Sequence, residues 1–198
     1  MRIITGRFKG RRLTAVKGGA IRPTSDRVKE SVFNILGEQV MHADFLDLCA
    51  GTGNIGLEAL SRGANSATFV DRDYRSMQAI KINLRKCDLN AKEPGVHLYK
   101  LDAQKGLHFL AKRRAKFNLI YLDPPYDASI HEACLMGIVT NELLRSSGEI
   151  IVEQRVKKKE SCSIPTEVSG LRLKRQQQYG NTIISFYQSK ALGNHCVT

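Results

Sequence analysis

The feature that most restricts this chain is the repeated exchange of strand-like and helix-like periodicity between residues 43 and 153. Asp44–Cys49 reads as a short buried strand and Asn54–Arg62 as a helix ended by Gly63. Ser66–Asp71 is a second strand, and Tyr74–Leu89 a helix with Met77, Ile80, Leu84 and Cys87 on one face. Val96–Leu101, Phe117–Asp123 and Glu149–Glu153 continue the strands; Ala103–Ala115 and Ile130–Leu144 continue the helices. Leu119-Ile120-Tyr121-Leu122 is continuously apolar, as a strand covered on both faces must be. This alternation predicts an α/β, doubly wound, parallel Rossmann-like sheet. Leu171–Tyr179 and Thr182–Gln188, joined at Tyr179-Gly180-Asn181, read as a closing hairpin. The expected sheet has seven strands, one of them antiparallel.

Ahead of the sheet lies a different kind of segment. Ile3-Ile4-Thr5 and Arg12-Leu13-Thr14 can pair around Gly6–Gly10 as a small β-hairpin. Arg22-Pro23-Thr24-Ser25-Asp26 then reads as a helix start, with Thr24 or Ser25 as cap and Asp26 in the first turn. Val28, Val32, Phe33 and Leu36 give that helix its apolar stripe, to about Gly37. The expected division is a basic arm and helix over 1–38, an α/β domain over 39–190, and a tail over 191–198.

Gly51-Thr52-Gly53-Asn54-Ile55-Gly56 spells GxGxxG after a strand and at the opening of a helix. Glycines let the backbone approach a nucleotide there, and free N–H groups face it. Asp71, at the end of the next strand, can accept hydrogen bonds from ribose hydroxyls. A tight strand-to-helix turn would also use these glycines, and an NAD(P) oxidoreductase would also fit. Asp47 separates the two nucleotide readings. An anion four residues before Gly51 suits the ammonium of S-adenosylmethionine and poorly suits a pyrophosphate, although a carboxylate there can also simply stabilise the turn. Asp102, after the third strand, can bond the adenine amine or cap the following helix.

Asp123-Pro124-Pro125-Tyr126 follows the apolar fourth strand. Two prolines fix φ and remove two donors, leaving a rigid turn rich in acceptors. The Asp123 carboxylate and the Pro124 carbonyl can accept from the NH2 of a base, and Tyr126 offers a face for stacking. That arrangement suits methylation of an exocyclic amine. Cytosine C5 chemistry needs a cysteine nucleophile after proline, and zinc deamination needs H-x-E with P-C-x-x-C; neither occurs.

Charge points the same way. The net charge is +12, and residues 1–30 carry nine basic residues against Asp26 and Glu30. Further clusters are Lys112-Arg113-Arg114 with Lys116, and Arg155 with Lys157-Lys158-Lys159. A polyanionic partner is expected, with Arg7, Lys9, Arg11 and Arg12 as phosphate contacts. The five cysteines are scattered without CxxC, and the five histidines show no ligand spacing, so reduced thiols and no metal are expected. No run of about 18 apolar residues predicts a membrane span. Met1–Arg7 lacks the apolar core of a signal peptide, so a cytoplasmic location is expected.

LDLCAGTGNIGLEAL over Leu46–Leu60, Asp123–Tyr126, Ile3–Lys9 and RPTSDRVKESVFNIL over Arg22–Leu36 together resemble the bacterial 16S rRNA guanine-N2 methyltransferases of the RsmD type. The resemblance runs through Gln188. It implies a seven-stranded methyltransferase sheet with S-adenosylmethionine as methyl donor and no metal. It also implies a guanine of 16S rRNA in the small ribosomal subunit or its assembly intermediate as substrate; a monomer is expected. By position, Gly51, Gly53 and Asp71 would hold the cofactor with Asp47 and Asp102 nearby. Asp123, Pro124, Pro125 and Tyr126 would hold the guanine amine, and Arg22 and Arg27 would meet RNA near the site mouth. Such enzymes often carry Glu after the second strand; here Asp71 and Asp73 compete for that role. An adenine-N6 methyltransferase of RNA or DNA would use the same Asp-Pro-Pro-Tyr turn, and a catalytically silent RNA-binding assembly factor would share the arm.

Overall fold

A computed structural model describes residues 1–15, 24–124, 128–155 and 166–190. Arg22, Pro125, Tyr126, Lys157–Lys159 and the 191–198 tail lie outside the described residues. Helix α1 spans Asp26–Leu36, and a single 3-10 turn over Gly37–Val40 leads to strand β1 at Asp44–Leu48. Then follow α2 (Asn54–Ser61), β2 (Ser66–Asp71), α3 (Tyr74–Lys86), β3 (Val96–Lys100) and α4 (Ala103–Lys112). The chain continues with β4 (Phe117–Leu122), α5 (Ala128–Thr140), β5 (Leu144–Arg155), β6 (Glu167–Val168), β7 (Leu171–Tyr179) and β8 (Thr182–Ser189). Ser25 caps α1 as expected, its hydroxyl accepting from the Val28 N–H, and Asp26 occupies the first turn.

The strands form one sheet in the order β3-β2-β1-β4-β5-β8-β7-β6. The five strands from β3 to β5 are parallel, and β8 joins β5 antiparallel. The sheet therefore has eight strands where seven were expected. The addition is β6, two residues long, which turns onto β7 through Ser169 (φ 49°) and Gly170 (φ 82°). A two-residue strand is too short to leave an alternating pattern in the sequence; pairing antiparallel with β7, it runs in the same direction as β8 and is the second strand opposed to the parallel set.

Strand order reverses between β1 and β4, and in open α/β sheets the crevice beyond that point is where ligands bind. Side chains on the central strands alternate between two cores. Leu46, Leu48, Ile120, Leu122, Ile150 and Val152 pack with Leu107, Leu110, Leu135 and Ile138 of α4 and α5. Phe45, Leu119, Tyr121 and Ile151 pack with Val32, Phe33 and Leu36 of α1 on the other face. This period-two rule places Asp47, Tyr121 and Glu153 on the α1 side.

The first fifteen residues are built into the molecule. Ile3, Phe8 and Leu13 are buried with Leu57, Phe69, Met77 and Ile80 in a third cluster between the arm, α2 and α3. In place of the expected pairing of Ile3–Thr5 with Arg12–Thr14, the arm forms a tight loop with one bridge, Arg2 opposite Arg12, closed by Ile3 and Gly10 backbone bonds, because Glu58 takes the Ile4 and Thr5 N–H groups. Gly6 (φ 86°) lies so close to α2 that an added Cβ would stand 1.8 Å from the Ser61 carbonyl oxygen. Only glycine fits there.

Candidate active site

The glycine turn leaves β1 through three positive φ values: Cys49 at 66°, Gly51 at 54° and Gly53 at 72°. Glycine accepts this conformation without cost, whereas at Cys49 it is strained. Bonds from the Cys49 and Ala50 N–H groups to the Val70 carbonyl hold the strained residue in place. Gly56 permits close approach of α2 to β2; a Cβ there would lie 2.4 Å from the Phe69 ring.

The acids around this turn are engaged by backbone donors. The Asp71 carboxylate accepts from the Gly51 N–H at 2.7 Å and from the Asp73 N–H at 2.8 Å, pinning the β1 turn to the end of β2. Asp73 instead caps α3, accepting from the Arg75 N–H, and pairs with the Arg75 guanidinium at 3.1 Å. Asp71 therefore faces the glycine turn, and Asp73 is committed to its own helix. Asp47 is 2% exposed and accepts from the Gly56 N–H at 2.9 Å. Burial lifts its carboxyl to about 7, helped by the nearby Asp71 charge and opposed by the Gly56 bond. Asp102 caps α4, accepting from the Lys105 N–H, with Lys105 Nζ at 3.6 Å.

Across the strand-order reversal stands Asp123. Its N–H donates to the Leu48 carbonyl at 3.4 Å, tying the end of β4 to the strand that leads into the glycine turn. Asp123 is half-buried and Pro124 buried. Desolvation pushes the Asp123 carboxyl well above the usual range, the Glu153 charge adds to this, and Arg155 opposes it.

Glu153 escaped the reading of the sequence. It is 1% exposed, and one carboxylate oxygen accepts from both the Thr24 and the Tyr121 hydroxyls, each at 2.6 Å. Thr24 belongs to the Arg-Pro-Thr segment, so Glu153 joins the entry of α1 to the end of β4. The sequence signal was an acid ending the buried run Ile150-Ile151-Val152. A charge placed there needs partners.

Two further buried polar groups tie the basic arm to the helix and turn that follow β1. Glu58, on α2, accepts from the Ile4 and Thr5 N–H groups and from Arg62, and pairs with the fully buried Lys29 at 3.1 Å. Lys29 also donates to the Arg2 carbonyl and to Asn54. Asn83, on α3, accepts from the Thr14 N–H and donates to the carbonyls of Thr14 and Thr52. It thus bridges the arm to the glycine turn. Of the expected RNA contacts among the described residues, Arg7, Lys9, Arg11, Arg12 and Arg27 are all exposed. Arg7 lies over the Phe8 ring, and Arg11 pairs with Asp88. Among the described residues no group of His, Cys, Asp and Glu is arranged to hold a metal, and no helix is long and apolar enough to cross a membrane.

The fold and the two apposed turns define a Rossmann-like methyltransferase. A family model described as conserved hypothetical protein 95 matches residues 1–188. The chain is 40% identical over 190 residues to "Putative rRNA methyltransferase YlbH" of Bacillus subtilis, covering 96% of this chain and all of that protein. It is 32% identical to the ribosomal RNA small subunit methyltransferase D of Escherichia coli, over 98% of this chain and 92% of the relative. The solved structure "Putative methyltransferase yhhF from Escherichia coli" superposes with a TM-score of 0.79 at 32% identity, covering 96% of this chain and 98% of that one. The chain belongs to the conserved hypothetical protein 95 family, that is, to the RsmD-type methyltransferases. An NAD(P) reading of the glycine turn falls with that membership.

Proposed function

We propose that the protein transfers a methyl group from S-adenosylmethionine to the exocyclic N2 amine of a guanine in 16S rRNA, in the small subunit or an assembly intermediate. The observation that carries this reading is the apposition of the glycine turn and Asp123 across the strand-order reversal, joined by the Asp123 N–H to Leu48 bond. The names of the relatives, which specify ribosomal RNA, support the class of substrate.

The residues at the site fit the cofactor. Positive φ at Gly51 and Gly53 opens the backbone to a nucleoside, and Asp71 stands at the turn where ribose hydroxyls would lie. Asp47 lies buried beneath the turn, where a neighbouring ammonium would favour its ionised form. Bound there, S-adenosylmethionine supplies an electrophilic methyl group on a sulfonium.

The chain's own contribution is positioning. A guanine N2 is a weak nucleophile because its lone pair is delocalised into the ring. Asp123 and the Pro124 carbonyl accept its two hydrogens, draw the nitrogen towards sp³ character and aim the lone pair. Alignment of this kind supplies several kcal/mol, about 7–11 at the upper end. The raised basicity of Asp123 suits it to take the proton that the methylated nitrogen sheds. By its place in the Asp-Pro-Pro-Tyr sequence Tyr126 would stack on the base, and the arm residues with Arg22 and Arg27 would meet phosphates.

Tritiated cofactor with small subunits from a methylation-deficient strain, followed by nucleoside analysis, tests the proposal. The expected product is N2-methylguanosine in 16S rRNA. Label recovered only as N6-methyladenosine, or only in DNA, overturns it.

A further inference from the structure

We propose that the α3–β3 edge is a second RNA-binding surface, which takes a nucleotide flanking the one that is methylated. This rests on the rRNA reading above. A groove of about 300 Å³ runs between α3 and the edge strand β3, lined by Tyr74, Met77, Gln78, Lys81, Leu98 and Lys100. Its floor is apolar, from Met77 and Leu98, and its rim carries two lysines. Tyr74 is 63% exposed, far more than an aromatic ring with only a packing role requires. Lys100 Nζ stands 5.9 Å from the centre of that ring. Among the described residues neither Lys81 nor Lys100 has a carboxylate partner within ion-pair distance.

An aromatic face beside unpaired cations over an apolar floor is the arrangement that holds a single-stranded nucleotide. The base stacks on the ring, and the cations meet the flanking phosphates. The charge of the surrounding surface selects RNA over an apolar peptide. Between Tyr74 and Lys86, α3 carries Arg75, Lys81, Arg85 and Lys86 and no acid. Of these, Arg75 pairs with Asp73.

The groove is also continuous with the basic arm. Lys86 Nζ donates to the Thr14 hydroxyl at 2.7 Å, and Arg11 donates to the Lys86 carbonyl. A cationic path therefore runs from Lys9 and Arg12 on the arm, along Lys86, Arg85 and Lys81, to Lys100. At 1.5 Å per residue, the helix from Lys86 to Tyr74 covers about 18 Å of that path.

Position in the sheet says which nucleotide enters. Three strand spacings separate β3 from β4, about 14 Å, so the groove cannot receive the base presented to Asp123. It runs along the outer edge of β3 from Leu98 to the last residue, Lys100, and so opens beside the end of the sheet where the glycine turn and Asp123 stand. A nucleotide on the same RNA strand, led along α3 by the arm, fits the distance.

The test compares binding of small subunits and of naked 16S rRNA by the wild type, Tyr74→Ala, Tyr74→Phe, and the double variant Lys81→Gln with Lys100→Gln, over a range of salt. Tyr74→Ala should weaken RNA binding by at least about fivefold, with Tyr74→Phe close to wild type. The double variant should lower the slope of log affinity against log salt by about 1.4. Cofactor affinity and kcat at saturating RNA should be unchanged in all variants. Wild-type affinity and slope in folded variants would overturn the inference and leave the methyltransferase reading intact. A parallel loss of cofactor affinity would also overturn it, by reassigning the groove to the cofactor. Absence of any RNA binding by the wild type would remove both readings.

Discussion

The two turns that face each other at the candidate site are stabilised by different means. Around the glycine turn, Asp71 and Asp47 are held by backbone N–H groups of Gly51, Asp73 and Gly56. Beside Asp123, the buried Glu153 is held by two side-chain hydroxyls, from Thr24 and Tyr121. Backbone donors persist whatever residue supplies them, so on the glycine-turn side it is the acceptor acids and the glycines at positive φ that cannot be exchanged. Hydroxyl donors vanish with one substitution, so the Asp123 side depends on its donors as well as on its acids. The difference also separates the expected consequences of mutation: one side changes affinity and stability, the other changes rate and pH response.

The strongest challenge to that division is Asp123→Ala. It should lower kcat by about 10²–10⁴-fold with cofactor affinity unchanged, as read by single-turnover transfer and calorimetry. A matching loss of cofactor affinity would mean that the two turns act as one site.

Asp47 tests the cost of burying an acid beneath the glycine turn. Its carboxyl titrates at about 7 in the fold against 3.8 when free. Between those values the folded protein holds a proton that the unfolded chain has released. The stability tied to this group is complete below about pH 4 and is lost as pH rises through about 7, by roughly 4 kcal/mol without cofactor. Asp47→Asn should therefore gain stability relative to wild type between pH 5 and pH 8 in urea denaturation. Parallel pH curves for the two proteins would show that Asp47 ionises in the fold without penalty.

Asn83 asks whether the arm belongs energetically to the cofactor side. Asn83→Ala leaves the Thr52 carbonyl and both Thr14 backbone groups without their partner, a loss of about 1–3 kcal/mol. Cofactor binding should weaken by up to about tenfold, corresponding to 1.4 kcal/mol. Unchanged cofactor affinity in a destabilised protein would confine Asn83 to holding the arm.

The smallest effect is expected from Glu153→Gln. Burial is the largest cause of the raised Asp123 carboxyl, and the Glu153 charge is the next. Removing that charge lowers the Asp123 pKa, so the acid limb of the kcat profile should move to lower pH. The amide oxygen still accepts from Thr24 and Tyr121. A limb that does not move would separate Glu153 from the proton equilibrium of Asp123.

Much of the fold was legible because the signals are local. From residue 24 onward every helix and strand expected is present, with ends displaced by a few residues, as at α3, which stops at Lys86 rather than Leu89, whereas the two arm strands do not form. Strand β6 was missed because two residues carry no period. At the site, the glycines and Asp123 could be found because turn chemistry is written in adjacent residues. Glu153, Glu58 and Asn83 could not be assigned, because their partners lie far along the chain, as with Thr24 and Ile4. A buried acid within an apolar strand or helix was the available hint. Asp102 had two readings, and the structure realises the cap.

The sequence by itself determined the alternation of elements, the glycine and proline turns and the basic arm, because backbone preference and charge are properties of neighbouring residues. Tertiary structure decided the rest. The order β2-β1-β4 brings Gly51 and Asp123 to one crevice. The pleat turns Tyr121 and Glu153 to the side where Thr24 waits. Packing of α2 and α3 builds the arm into the core through Glu58 and Asn83. The physical reason is that an acid's partner, and hence its charge state, depends on which distant donors the fold delivers to it after water has been removed.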